Sequence, residues 1–150
     1  MARISGSASE EIEAPLEAVW AVVADVAAAP EWQDGMIAMH VFDTDEEGRA
    51  TLVETESDVK VKTVKAKIRF SYHPPTRLAW AQEEGDLKSL DGSWVLEDLG
   101  GQRTRATYAI DGDPGRTLGM LIRGPVEGKI RDLLVNGRPG ELKRRVEKGG

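Results

Sequence analysis

Val64-Lys65-Ala66-Lys67-Ile68-Arg69-Phe70-Ser71-Tyr72 places Val64, Ala66, Ile68, Phe70 and Tyr72 on one side and lysine, arginine and serine on the other. A period of two sustained this long reads as a strand with one buried and one wet face. His73-Pro74-Pro75-Thr76 follows with turn chemistry, and then Leu78, Trp80 and Gln82 alternate in the same way. Two such runs joined by a short link form an antiparallel hairpin. Outward from this hairpin the same period predicts strands near 36–43, 48–57, 59–72, 77–84, 87–97 and 103–111. The breaks at Asp45-Glu46-Glu47-Gly48, Glu84-Gly85-Asp86 and Gly100-Gly101 are also turn-formers. In the last strand Thr104, Ala106, Tyr108 and Ile110 share a face. A weaker alternation over 3–13, with Ile4, Gly6, Ala8, Glu10 and Ile12 in phase, predicts a seventh strand.

The flanks change to a helical period. After Ala14-Pro15, the residues Leu16, Val19, Trp20, Val23 and Val26 fall at helical spacing. Proline suits the first turn of a helix, and a second proline, Pro30, is expected to stop it. Pro30 to Gly35 reads as a second short helix or turn. Beyond Asp113-Pro114, an apolar stripe of Leu118, Ile122, Val126, Ile130, Leu133 and Leu134 predicts a long helix. Pro125 and Gly137-Arg138-Pro139-Gly140 are expected to kink or split it. The order is strand, two helices, six strands, long helix: an α+β chain, read as one domain over 1–150.

The composition excludes several classes. There are no cysteines, which removes disulfide frameworks, thiolate metal sites and cysteine nucleophiles together. The net charge of −6 argues against nucleic-acid binding by phosphate neutralisation. Lys143, Arg144 and Arg145 form a short basic run that reads as a solvated face complementing a helix dipole. No apolar run approaches the ~18 residues of a membrane span, and the first residues lack a signal peptide's apolar stretch. The expectation is a soluble, cytoplasmic protein with no integral-membrane segment. His40 and His73 stand alone, without metal-ligand spacing. No Ser-His-Asp order, phosphate loop or paired-carboxylate motif stands out, so neither metal nor cofactor is expected.

Several short motifs recur together. They are Glu11-Ile12-Glu13-Ala14-Pro15 with Val19-Trp20, Pro30-Glu31-Trp32, Tyr72-His73-Pro74-Pro75-Thr76-Arg77-Leu78, and Gly85-Asp86-Leu87-Lys88 with Gly92-Ser93-Trp94. In this order and spacing the sequence resembles the START-like superfamily of polyketide cyclases/dehydrases and lipid-transport proteins, also called helix-grip or SRPBCC. The likeness runs from about residue 3 to 147. It implies a curved seven-stranded antiparallel sheet wrapped around a long C-terminal helix, with two short helices between the first and second strands. It also implies an internal cavity for a hydrophobic small molecule: a lipid, an isoprenoid or quinone, or an aromatic polyketide. A weak homodimer is compatible with it. Pro125 and Pro139 depart from the usual continuous final helix and put the shape of the cavity floor in question.

The cavity is expected between the sheet and the C-terminal helix. Small inward residues, Gly6, Ala8, Ala66, Ala106 and Gly119, should leave volume there unless helix side chains fill it. Trp32, Met36, Ala66, Ile68, Phe70, Trp80, Trp94, Ala106, Leu118 and Ile122 are the candidate lining. Trp20 reads as core. Met36 and Met39, with Met120 and Leu121, suggest an adaptable entrance. Trp80 and Trp94 are expected to matter more for binding than for stability. For acid–base chemistry the candidates are Glu10, Tyr72 and Tyr108. A desolvated Glu10 would suit a general acid or base, although glutamates more often turn to solvent. The tyrosines would donate to a carbonyl, and both are more often structural. The leading reading is a binding or transport protein. A polyketide cyclase/dehydratase comes second, because acid–base groups are sparse, and a protein-interaction module third.

Overall fold

The structure is a computed structural model and describes residues 4–59, 62–122 and 124–148. Seven strands form one antiparallel sheet: β1 (Ile4–Ile12), β2 (Met36–Thr44), β3 (Ala50–Asp58), β4 (Thr63–His73), β5 (Arg77–Gly85), β6 (Ser89–Gly100) and β7 (Arg103–Asp113). Their order across the sheet is β1-β7-β6-β5-β4-β3-β2. The meander from β2 to β7 is the expected one, and its boundaries lie within a few residues of the expected spans. Arg3, Lys60 and Val61, included in the expected first and fourth strands, lie outside the described residues.

The register explains why one face is buried. Tyr72 pairs with Leu78, Leu78 with Trp94, and Trp94 with Tyr108, so the in-phase residues of four strands converge on one side. Along β7 the alternation is complete, with Thr104, Ala106, Tyr108, Ile110 and Gly112 all buried.

Between β1 and β2, helix α1 (Leu16–Ala24) presents Val19 and Val23 to the core. The helix ends earlier than Pro30 implied. Asp25 leaves helical geometry at ψ 70°, and a 3-10 helix over Val26–Glu31 carries Pro30 inside it. Residues 32–35 are turn rather than helix. Gly35 has φ +83°, and a Cβ there would lie 3.0 Å from the Asp58 carbonyl and 3.2 Å from Leu133. Only glycine accepts both constraints without strain.

The C-terminal helix is split where the prolines fall. It consists of α2 (Gly115–Leu121), α3 (Pro125–Arg131), a π-helical turn over Asp132–Asn136, and α4 (Arg138–Glu147). Pro125 starts α3, where its missing N–H costs nothing. Pro139 has no N–H to return to Val135, and just ahead of it the helix widens, with Gly137 donating to the Asp132 carbonyl five residues back at 2.9 Å. Ile122, Ile130, Val135 and Leu142 are fully buried and occupy the grip of the sheet. At its far end α4 holds the first strand. Lys143 Nζ donates to the Glu11 carbonyl, and the Glu13 N–H donates to the Glu147 carboxylate, both at 2.9 Å. No helix among the described residues is long and apolar enough to cross a membrane.

Candidate functional site

A cavity of about 110 Å³ lies against the inner face of β4 to β7, roofed by the end of α1 and the 3-10 helix. Ile68, Phe70, Leu78, Trp80, Leu90, Trp94 and Tyr108 form its floor. Val23, Asp25, Val26, Ala29, Trp32 and Gln33 form its roof. Met36 and Met39 of β2 and Thr55 and Ser57 of β3 close one side.

Most of the chain's aromatic content gathers here. Ring centroids run Trp32 to Trp94 (6.3 Å), Trp94 to Tyr108 (4.7 Å), Tyr108 to Trp80 (5.6 Å), Trp80 to Phe70 (5.9 Å) and Phe70 to Tyr72 (6.5 Å). Every pair is tilted, the arrangement that aromatic quadrupoles favour over a face-to-face stack. One glycine makes the row continuous. Trp80 pairs across β5–β6 with Gly92, and Gly92 pairs in turn with Ile110 of β7. The Trp80 indole leans across Gly92 to reach Tyr108, and a Cβ at Gly92 would sit 2.7 Å from three of its ring atoms. Gly92→Ala is therefore expected to displace Trp80 and to cost about 1–3 kcal/mol. Thermal unfolding together with a shift in tryptophan emission checks this. An unchanged melting temperature and spectrum would mean the ring does not lie there.

The expected site residues divide. Trp32, Met36, Ile68, Phe70, Trp80, Trp94 and Tyr108 surround the cavity. Ala66, Ala106, Leu118 and Ile122 do not. Ala66 and Ala106 are buried where the sheet packs tightly, and Ile122 is itself core filler. The cavity is also not under the C-terminal helix, since no residue of α2, α3 or α4 lines it. The small inward residues admit the helix instead of leaving a void: a Cβ on Gly6 would already touch Val135 at 3.4 Å. Met120 and Leu121 are exposed on α2, away from this cavity.

Glu10 is exposed beside α4, outside the cavity. There it adds to the field that, behind the hydrogen bond Lys143 donates to Glu147, raises the affinity of Lys143 for its proton. Tyr72 is half-buried and donates to the Ala50 carbonyl, with the Arg49 guanidinium 4.7 Å above its ring. Burial, and then the nearby Asp45, push its phenol up to about 12. Tyr72 thus braces β4 against β3 and does not line the cavity. Tyr108 does line it. Burial raises its pKa against the opposing charge of Arg138, so it meets a ligand as a neutral phenol.

Arg138 is a residue whose place the sequence concealed. It is 2 % exposed, and its Nη1 donates to the Asp34 carbonyl (2.7 Å) and to Glu141 (2.9 Å). Glu141 also accepts the Asp34 N–H at 2.8 Å, and Arg145 pairs with Glu31 at 2.9 Å. The segment bearing Trp32 is thereby fastened to α4. Trp32 separates the cavity from an outer cleft bordered by Glu31, Asp34, Glu141, Arg144, Arg145 and Lys148. The buried Trp32 indole N–H has no acceptor, an uncommon state for a buried donor. Thr55 and Ser57, in phase with Val53, could have been read inward from the sequence. Asp25 and Gln33 follow helix ends and carry no periodic signal.

Among the described residues no cluster of three or more His, Asp or Glu is arranged to hold a metal. The exposed Ile37, Val41 and Phe42 lie along the edge strand β2.

A family model described as "Polyketide cyclase / dehydrase and lipid transport" matches residues 12–137. No curated protein matches. Among solved structures the chain is similar to a START superfamily protein from Mycobacterium smegmatis, at 18 % identity and TM-score 0.80, covering 97 % of this chain and 99 % of that one. A protein from Thermus thermophilus gives 20 %, TM-score 0.81 and the same coverage. The Zhui aromatase/cyclase from Streptomyces sp. R1128 gives 18 % and TM-score 0.74, covering 98 % of this chain and 95 % of that one. At these identities the likeness concerns the fold.

Proposed function

The chain belongs to the polyketide cyclase / dehydrase and lipid transport family, and from that premise we propose that it binds a compact, ring-bearing hydrophobic molecule in the aromatic cavity. The carrying observation is the continuous aromatic row facing a partly open cavity, with one unsatisfied indole N–H at its end. Apolar enclosures with a few placed polar groups are the usual form of small-molecule sites. The volume sets the size class. About 110 Å³ is below the roughly 150 Å³ cavity that holds a benzene and well below the ~300–1,000 Å³ of drug-sized sites. A single ring or a short isoprenoid end therefore fits only with a modest outward shift of a wall side chain such as Trp32, and a larger ligand needs a greater one.

The same facts rank binding above cyclisation. A cyclase must bend a long chain and offer an acid or base to it. Among the described residues, the ionisable groups around this cavity are Tyr108, held neutral, and Asp25 at the rim.

Native mass spectrometry of freshly purified protein is expected to show a co-purifying molecule of this size class. Trp32→Phe keeps the ring and removes the donor. It is expected to weaken binding of acetophenone, which carries an acceptor, by roughly threefold to tenfold and to leave ethylbenzene within about twofold. Isothermal titration reads both. If neither probe binds the unsubstituted protein, the cavity reading falls.

A further inference from the structure

The charge distribution around the cavity is one-sided. Among the described residues its wall contains no lysine, arginine or histidine. Its only carboxylate is Asp25, whose side chain makes no hydrogen bond or ion pair among the described residues. Asp25 also stands at the carboxyl end of α1, a helix with no basic residue in its last turn. The exposed carbonyls at such an end carry partial negative charge and favour a cation. Cations nearby are already committed: Arg138, whose charge reaches Tyr108, is paired with Glu141 at 2.9 Å. Arg49, which with Asp25 acts on the Tyr72 phenol, is bonded to Asp45 at 2.8 Å and lies 3.4 Å from Glu47. Across from Asp25 the floor presents Trp80, Trp94, Phe70 and Tyr108, and Trp32 lies in the roof beside it. Aromatic faces attract organic cations through the ring quadrupole, tryptophan most strongly.

An uncommitted carboxylate, a helix carboxyl end and an aromatic wall whose neighbouring cations are already paired all complement the same charge. Resting on the binding function above, we propose that the cavity's ligand is a small organic cation, an amine or quaternary ammonium. Its charge sits by Asp25 and its hydrophobic body lies along the tryptophans. The chemistry is reversible binding with no bond made or broken. The Trp32 N–H is left to address an acceptor elsewhere on the same ligand.

The test compares two probes of near-equal size, 2-phenylethylamine, which is protonated at neutral pH, and its neutral counterpart 2-phenylethanol. Titration calorimetry on the full chain and on Asp25→Asn measures both. The amine is expected to bind about threefold to tenfold more tightly than the alcohol. Asp25→Asn should remove most of that preference by weakening the amine, with the alcohol's affinity moving by much less. Asp25 is exposed, so the substitution should not compromise folding. If both probes bind the unsubstituted protein equally, and Asp25→Asn changes neither, the cation assignment is overturned while the binding function stands. If neither probe binds, both fall together.

Discussion

Replacing Trp94 by alanine is expected to lower the unfolding free energy by about 3–5 kcal/mol, the range for truncating a large buried aromatic. Trp94 is 2 % exposed and is the largest of the fully buried side chains. It touches Trp32 of the roof and Tyr108 of the floor, so its removal opens a hole that several elements would have to move to fill. In a domain of this size each kcal/mol shifts the melting point by roughly 2–4 °C, so a drop of about ten degrees should appear in a thermal scan. Trp80→Ala is the informative contrast. Trp80 is only half-buried and packs against the edge of the core across a glycine. Its loss should cost less stability while still removing an aromatic wall from the cavity. The sequence suggested that these two tryptophans would behave alike, binding more than bracing; burial separates them. Equal melting losses for the two variants would undo that separation.

The second large effect is expected at Glu141. Arg138 and Glu141 are paired at 2.9 Å with side chains 3 % and 10 % exposed. Removing one partner of a buried pair leaves the other charge without compensation and typically costs about 3–5 kcal/mol. Glu141→Ala also strips the acceptor from the Asp34 N–H, so the loss should fall toward the upper part of that range. Replacing both residues, as Arg138→Met with Glu141→Leu, removes the stranded charge and should recover much of the loss. Urea unfolding of the two singles and the double closes the cycle. A single Glu141→Ala within about 0.5 kcal/mol of the parent, as for an exposed position, would show that the pair is wet in solution.

These two positions also mark what could be read in advance. The strands around 64–72 and 77–84 were legible because one face is wet and the other dry, so burial is written into the alternation itself. The break at Pro125 was legible because proline lacks a donor whatever surrounds it. The cavity's place was not legible. The sequence shows Ala66 and Ala106 to be small, but whether small residues leave space or draw a helix closer depends on the opposing surface. Here Ile122, Ile130, Val135 and Leu142 fill that space. The remaining volume lies under α1, where Asp25 and Gln33 follow helix ends and obey no period. Arg138 was hidden for a related reason. In Gly137-Arg138-Pro139-Gly140 it looks like a loop residue, and only the widened turn ahead of it turns the guanidinium inward. Glu10 shows the opposite limit. Its phase is inward, but β1 is an edge strand and the side chain reaches solvent beside α4.

The capture of β1 by β7 and α4 also has a consequence in time. Ile4 pairs with Gly112 and Ile12 with Thr104, so the first strand made must wait for almost the last. Synthesis at ~5–20 residues per second puts roughly five to twenty seconds between the two. Through that interval β1 has no partner strand, and the segment bearing Trp32 has no α4 to fasten to. The binding chamber is therefore among the last parts of this domain to close, and the tether from Lys143 to Glu11 acts as its final clasp.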